Sequence, residues 1–281
     1  MKTRVPGVAI GALGFAIAVT AATAGTTSHA TELQLTTALT AAEEVPSPTG
    51  NVSGARGAFT ATLTKSGAGA SLNWQLTFSG LSGRANAAHI HTGIRGQPGP
   101  VSVPLCGPCD SGASGNATIT PTVLQALQTG GAYANVHTPM NAAGEIRGQI
   151  SVLATVRGTL SARQEVPRPK GTRRGVRGAF SGTLTKSGTT ARLAWRLTFA
   201  RLTGRAVAAH IHIGRRGRPG PVALPLCGPC RNGGRGTATA SASLLNALET
   251  GRAYVNVHTR RNAAGEIRAQ LPAVPLVMST G

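Results

Sequence analysis

The sequence repeats itself at a fixed offset. Its most distinctive residues recur 121 positions later: Trp74 as Trp195, His89 as His210, Cys106 as Cys227, His137 as His258, and Glu145 as Glu266. Between residues 33–150 and 154–271, about 69 of 118 aligned positions are identical, with no insertion or deletion. Solenoid repeats have periods of roughly 20 to 50 residues. The sequence therefore predicts two tandem domains, at 31–150 and 154–272, followed by a C-terminal tail at 273–281.

Each copy has the pattern of an all-β domain. Leu72, Trp74, Leu76 and Phe78 alternate with polar residues, which is typical of a strand with one buried face. Between such segments lie turn-forming clusters rich in glycine and proline. One short helix is expected after Thr120, with Pro121 at its first position and a stop at Gly130. The pattern predicts two tandem antiparallel β-sandwich or barrel domains, each with one short α-helix.

Residues 1–30 have the layout of a secretory signal peptide. Two basic residues precede an apolar stretch over 5–24, and small residues precede two candidate cleavage points, after Ala24 and after Ala30. We favour Ala30 because the repeat begins soon after it. An uncleaved membrane anchor is the alternative. We expect an exported protein, either secreted or held in the periplasm or at the cell surface, with no further transmembrane segment.

Three histidines in each copy are candidate metal ligands. His89 and His91 are two positions apart on a predicted strand, so both rings point to the side opposite Ile90. His137 lies on the polar side of another strand. If the two strands are neighbours, three neutral imidazoles converge on a site suited to zinc or copper. The alternative is that the rings hydrogen-bond loop carbonyls or lie solvated on the outer face. The corresponding residues of the second copy are His210, His212 and His258.

Each copy also contains the segment C-G-P-C. In an exported protein, an even cysteine number favours disulfides, so we expect the bridges Cys106–Cys109 and Cys227–Cys230. A soft-metal site and a thiol oxidoreductase are the alternatives, although the latter needs a strand–helix setting that the surrounding glycine-rich loop does not predict.

The acidic residues give little indication of catalysis. Glu145 and Arg147 are two apart on a predicted strand, and their simplest interpretation is a same-face pair that ties neighbouring strands. The segment Glu44-Val45-Pro46 recurs in the second copy. No nucleophile elbow, phosphate-binding loop or dinucleotide-binding segment is present, and we expect a protein that is not an enzyme.

Several motifs together resemble a known family. A-A-H-I-H-x-G-x-x-G-x-P-G-P-V, then A-Y-x-N-V-H-T, then N-A-A-G-E-I-R-x-Q, with E-V-P near each start, are similar to the CHRD domain named after chordin. The resemblance covers nearly all of both copies and implies immunoglobulin-like β domains outside the cytoplasm. Chordin binds growth factors through cysteine-rich modules that this chain lacks. A fainter similarity is to copper/zinc superoxide dismutase, whose H-x-H strand His89 and His91 match, although that enzyme uses more histidines and a dedicated zinc loop.

The net charge of +20 belongs almost entirely to the second copy. Residues 33–150 contain 5 basic and 4 acidic residues, whereas residues 151–281 contain 21 and 3. Outward positions of the Trp74 strand become arginine in the second copy, while its inward residues are unchanged. This contrast predicts that the second domain meets an anionic polysaccharide, an anionic lipid surface or extracellular nucleic acid. The candidate residues are Arg173, Arg174, Arg177, Arg192, Arg196, Arg215, Arg216, Arg218, Arg231, Arg260 and Arg261.

An arginine-rich genomic composition together with a need for solubility is the alternative explanation of this charge. The leading hypothesis from the sequence is a secreted, non-enzymatic binding or structural protein whose second domain associates with polyanions. The second hypothesis is a metal-binding protein, with or without redox activity, that uses the three histidines of each domain.

Overall fold

A computed structural model describes residues 32–67 and 69–278. The predicted signal peptide and both candidate cleavage points lie outside these residues. Within the described part of the chain, no helix is long and apolar enough to span a membrane.

Both repeats fold into the same series of strands with one helix. The elements of the first repeat are β1 (Glu32–Thr40), β2 (Arg56–Ser66), β3 (Gly69–Ser79), β4 (Ala87–Thr92), β5 (Val101–Cys106), β6 (Ala113–Ile119), α1 (Pro121–Thr129), β7 (Ala132–His137) and β8 (Ile146–Gln149). Those of the second are β9 (Ser151–Leu160), β10 (Arg177–Ser187), β11 (Thr190–Ala200), β12 (Ala206–Ile213), β13 (Val222–Cys227), β14 (Gly234–Ala240), α2 (Ala242–Glu249), β15 (Ala253–Thr259) and β16 (Ile267–Gln270).

Each repeat is a sandwich of two antiparallel sheets. In the first repeat one sheet has the order β6–β3–β2–β1 and the other β5–β4–β7–β8, and they meet at one pair, Thr40 and Arg147. The second repeat has β14–β11–β10–β9 and β13–β12–β15–β16. Phe59, Leu72 and Leu76 are buried in the core between the first pair of sheets. The prediction of two all-β sandwich domains is confirmed.

The period-two pattern of β3 places its apolar side chains in this core. Leu72, Trp74 and Leu76 are buried, while the residues between them are exposed. Trp74 lies opposite Gly115 of β6, where a Cβ atom would come within 2.9 Å of the indole ring. Glycine at this position therefore makes room for the largest side chain of the sheet.

The helix of the first repeat has the expected ends. Thr120 caps it by accepting a hydrogen bond from the Val123 amide at 3.4 Å, and Gly130 ends it in the left-handed conformation, with φ of 73°. Leu124 and Leu127 bury its apolar side. In the second repeat Ser241 is the cap and the helix ends at Thr250.

The two repeats share a sheet. Strands β1 and β9 pair antiparallel, with Leu35 opposite Val152, so the sheet runs β6–β3–β2–β1–β9–β10–β11–β14 through both repeats. The predicted C-terminal tail also packs onto the protein as far as it is described. Leu276 and Met278 are buried, and the Met278 amide donates to the Gln128 side chain of α1.

Candidate metal centre

Two neighbouring strands bring the histidines of each repeat together. Strands β4 and β7 pair antiparallel, with His89 opposite Asn135 and Ala87 opposite His137. Since side chains two apart on a strand share a face, all three rings lie on the polar side of this sheet. One ligand nitrogen from each of His89, His91 and His137 lies within 4.8 Å of the others.

The second repeat holds an equivalent cluster on β12 and β15. His210 lies opposite Asn256, and Ala208 lies opposite His258. The ligand nitrogens of His210, His212 and His258 satisfy the same 4.8 Å limit. The two strands that carry the histidines, which the sequence could not show to be neighbours, are therefore paired in both repeats.

Loop carbonyl groups set the orientation of two rings. His91 Nδ1 lies 2.9 Å from the Gly99 carbonyl oxygen, and His137 Nδ1 lies 3.0 Å from that of Ala142. A carbonyl oxygen only accepts hydrogen bonds, so each Nδ1 carries the proton and each Nε2 presents a lone pair. The rings therefore do both things that the sequence suggested as alternatives: all three converge, and two of them hydrogen-bond to loop carbonyls.

The lone pairs face an interior that contains few donors. His91 Nε2 is buried without a hydrogen-bond partner. His137 Nε2 accepts a hydrogen bond from His89 Nδ1 at 3.1 Å when His89 carries its proton there, and it lies 3.0 Å from Asn135 Oδ1, which is itself an acceptor. His91 and His137 are only 7% and 8% exposed, so a solvated outer position does not describe them. An ion that accepts lone pairs would satisfy several of these atoms together.

A stack of three side chains holds the His91 ring in place. The Tyr133 ring lies parallel to it at 4.9 Å, and the Arg147 guanidinium covers Tyr133, with Cζ 3.3 Å from the ring centroid. Arg147 also donates to the Ile94 carbonyl at 3.0 Å, and the Tyr133 hydroxyl accepts from the Gly99 amide at 3.0 Å. The stack therefore ties the site to the loop over residues 93–99.

Burial keeps the histidines neutral. It lowers the pKa of His89 to about 4, with a further contribution from the neighbouring His137, and it lowers the pKa of His91 and of His137. In the second repeat the pKa of His210 is likewise about 4. A neutral imidazole is the form that binds a metal ion, so the rings are already in that form near neutral pH.

A buried carboxyl group next to Asn135 was not identified as a site residue from the sequence. Glu44 is 4% exposed, and burial raises its pKa to about 7. Oε1 accepts from the Val45 amide at 3.0 Å, whereas Oε2 has no hydrogen-bond partner. Asn135 lies between this group and His137. The signal was present in the recurrence of Glu44-Val45-Pro46 in both copies.

The expected pair of Glu145 and Arg147 is not formed. Glu145 instead accepts hydrogen bonds from the Ser82 amide at 2.6 Å, Thr138 Oγ1 at 2.6 Å and Asn141 Nδ2 at 3.0 Å. Burial alone would raise the pKa of Glu145, but these donors lower it overall. The reason for the difference is that Arg147 is turned toward the ring of Tyr133. Glu145 therefore anchors the turn that carries the His137 partner, Ala142.

The cysteines form the two expected bridges. Cys106 pairs with Cys109, and Cys227 pairs with Cys230, so no cysteine in the described part of the chain is free. The disulfide prediction is confirmed, and the cysteines lie outside both histidine clusters.

The predicted polyanion-binding arginines are all exposed, but they occupy several parts of the second repeat. Arg192 and Arg196 lie on β11, Arg177 begins β10, and the others lie in loops: Arg173, Arg174, Arg215, Arg216, Arg218, Arg231, Arg260 and Arg261. Two further exposed arginines, Arg157 and Arg235, were not among the residues predicted from the sequence. They share a row with Arg196, because Ser181 pairs with Arg157 and Arg196, and Arg196 pairs with Arg235. The sequence contains the same indication for them, because the first copy has Thr36 and Ser114 at the corresponding positions.

Comparison with known proteins agrees with the repeat. A family model described as CHRD domain matches twice, at residues 35–150 and 156–271. A comparison with curated proteins finds no match.

Proposed function

The chain belongs to the CHRD domain family, and from this premise we propose that it is an exported, non-enzymatic protein whose two domains each bind one zinc or copper ion. CHRD domains are extracellular domains of binding type, and two disulfides suit an exported protein. One observation carries the proposal: in each domain a buried, unpartnered Nε2 faces two further imidazoles that are within reach of the same ion.

The geometry suits a small transition-metal ion. Around a tetrahedral zinc ion with bonds of about 2.0–2.1 Å, ligand nitrogens are roughly 3.3 Å apart. His89 Nδ1 and His137 Nε2 are already 3.1 Å apart, and the His91 nitrogen lies within 4.8 Å of both, so it must approach them by at most about 1.5 Å. Because the rings are neutral and held by carbonyls and by the tyrosine stack, binding needs little proton release and little ordering.

Three imidazoles leave a coordination position for water or for a group on a partner molecule. His89 is half-buried, whereas His91 and His137 are buried, so the side of His89 is the route to solvent. In this proposal the metal completes a binding surface on each domain.

Calorimetric titration of tag-free protein with Zn²⁺ and with Cu²⁺ tests the proposal. We expect two equivalents per chain for the wild type and one for H91A/H137A, since the second domain keeps its own site. The matched variant H212A/H258A should also bind one equivalent, and the quadruple variant none. Unchanged stoichiometry in these variants, or no binding by the wild type, would refute the proposal.

A second function, association of the second domain with polyanions, is supported by the row of Arg157, Arg196 and Arg235. These side chains are exposed on one face of the sheet, and no described acidic residue forms a salt bridge with them. Neighbouring strands are about 4.8 Å apart, so the row concentrates positive charge along a line across the sheet.

Retention on immobilised heparin at increasing salt tests this second function. The variant R157T/R196Q/R235S gives the row the residues that the first repeat has at Thr36, Gln75 and Ser114. We expect it to elute at lower salt than the wild type, because it has fewer exposed positive charges and salt screens their attraction to heparin. The reverse exchange, T36R/Q75R/S114R, should elute at higher salt. Identical elution of all three proteins would contradict the proposal.

A further inference from the structure

A cleft of about 590 Å³ lies beside the disulfide of the second domain. Four arginines line it: Arg173, Arg201, Arg205 and Arg231. Phe199 and Pro229 contribute apolar surface. No acidic residue lines the cleft. The cleft is thus both cationic and partly apolar, and it is separate from the arginine row on the sheet.

The first domain shows what this region looks like without the extra charge. Its residues at the four positions are Val52, Gly80, Arg84 and Asp110, and Arg84 lies 3.8 Å from the Asp110 carboxylate. In the second domain arginine replaces the aspartate, so Arg205 has a like charge where Arg84 has a counter-ion. Stability alone does not favour this exchange, since neighbouring like charges repel.

Arg201 has an unfavourable backbone conformation. Its φ is 60°, and it is the only residue other than glycine with a positive φ among residues 32–67 and 69–278. The first domain has Gly80 here, with φ of 71°. A side chain in this left-handed region is less stable than in the usual right-handed or extended conformation. Strained residues that the surrounding fold tolerates are concentrated at functional sites.

We propose that this cleft binds an anionic sugar unit of a polysaccharide, bearing sulfate or carboxylate groups. This inference rests on the proposed polyanion association and gives it a specific site. Arginine forks match carboxylate and sulfate oxygens, and the apolar Phe199 and Pro229 match the C–H face of a sugar ring. A single inorganic oxyanion would fill only a small part of 590 Å³, whereas cavities of about 300–1,000 Å³ are typical of small-molecule sites.

Titration of the full chain with a highly sulfated heparin disaccharide tests the cleft. The variant R201G/R231D restores the residues of the first domain at two positions, and both residues are known to fit that backbone. We expect one disaccharide per wild-type chain and at least tenfold weaker binding by R201G/R231D. The sheet variant R157T/R196Q/R235S should bind the disaccharide as the wild type does. Circular dichroism of each variant confirms its folding.

The outcomes separate the two proposals. If heparin retention depends on the sheet row but the disaccharide binds R201G/R231D normally, the cleft proposal fails and the polyanion proposal stands. If the disaccharide binds the wild type but not R201G/R231D, while R157T/R196Q/R235S is retained on heparin as strongly as the wild type, the sheet row fails and the cleft proposal stands. Equal competition by inorganic sulfate or phosphate at the same concentration, or tighter binding of a short DNA duplex, would overturn the assignment to a sugar.

Discussion

At the scale of single residues, the site depends on the two nitrogens of one ring doing different things. His91 uses Nδ1 to hold the Gly99 carbonyl and leaves Nε2 buried without a partner. The first contact fixes the ring, and the second atom is available to a ligand. Glu44 adds a buried carboxyl group next to Asn135, which also contacts His137.

Replacing the buried carboxyl group should change how stability depends on pH. Burial raises the pKa of Glu44 and of Glu165 from 4.5 to about 7, so the folded state holds protons that the unfolded chain has lost. This contribution is fully present below pH 4.5 and is lost as the pH rises through about 7. E44Q/E165Q should therefore gain stability relative to the wild type over this interval, by roughly 1–3 kcal/mol per site.

Denaturant unfolding at several pH values, with a chelator present, measures this difference. The variant E32Q, which alters an exposed carboxylate, is the control and should follow the wild type. If the free energy of unfolding changes with pH in the same way for E44Q/E165Q and the wild type, the buried carboxyl group does not titrate as described.

The strain at Arg201 gives a prediction about stability. Substituting glycine removes the left-handed cost and one of four neighbouring positive charges, so R201G should be more stable than the wild type by about 1 kcal/mol. Thermal and denaturant unfolding check this, with R205A as the control at a position without a positive φ. A less stable R201G would mean that the side chain itself holds the loop together.

At the scale of elements, hydrophobic alternation was sufficient for the strands but not for their partners. The pattern of Leu72, Trp74 and Leu76 predicted β3 and its buried face, and Thr120 and Gly130 predicted the ends of α1. The same pattern could not predict that β4 lies beside β7, because strand order depends on contacts distant in sequence. Arg147 illustrates the limit: spacing suggested Glu145 as its partner, whereas the pairing of β7 with β8 places it over Tyr133.

The two short disulfides are also local features of the elements. The bridge between Cys106 and Cys109 closes a very small ring, so removing it should cost only about 2 kcal/mol from chain entropy. C106S/C109S is expected to fold and to bind the metal ion at its histidines as the wild type does. Thiol titration of the native protein should find no free thiols, and four would contradict both bridges.

At the scale of the whole molecule, the repeats share one continuous sheet and are not two structurally separate domains. The offset of 121 positions predicted two copies, but it contained no information on how they join. The contact arises because β8 ends at Gln149 and β9 begins at Ser151, which brings β9 alongside β1. The concentration of charge in the second copy was visible in the sequence, but its division between the sheet row and the cleft required the strand register.

A shared sheet should make the two domains unfold together. We expect one cooperative transition and slow hydrogen exchange for the hydrogen-bonded amides of 34–36 and 151–153, comparable with those of the central strands. Calorimetry and exchange measured by mass spectrometry check this. Two separate transitions, with rapid exchange in these segments alone, would show that the pairing does not couple the domains.

The central claim is that each domain holds one transition-metal ion on three histidines, and metal analysis of purified protein tests it most directly. Tag-free wild-type chain, loaded with Zn²⁺ or Cu²⁺ and then freed of excess ion, should retain two ions per chain. H91A/H137A should retain one, and the variant lacking both sets of histidines none. Wild-type protein that retains no ion, or variants that retain as much as the wild type, would contradict the account.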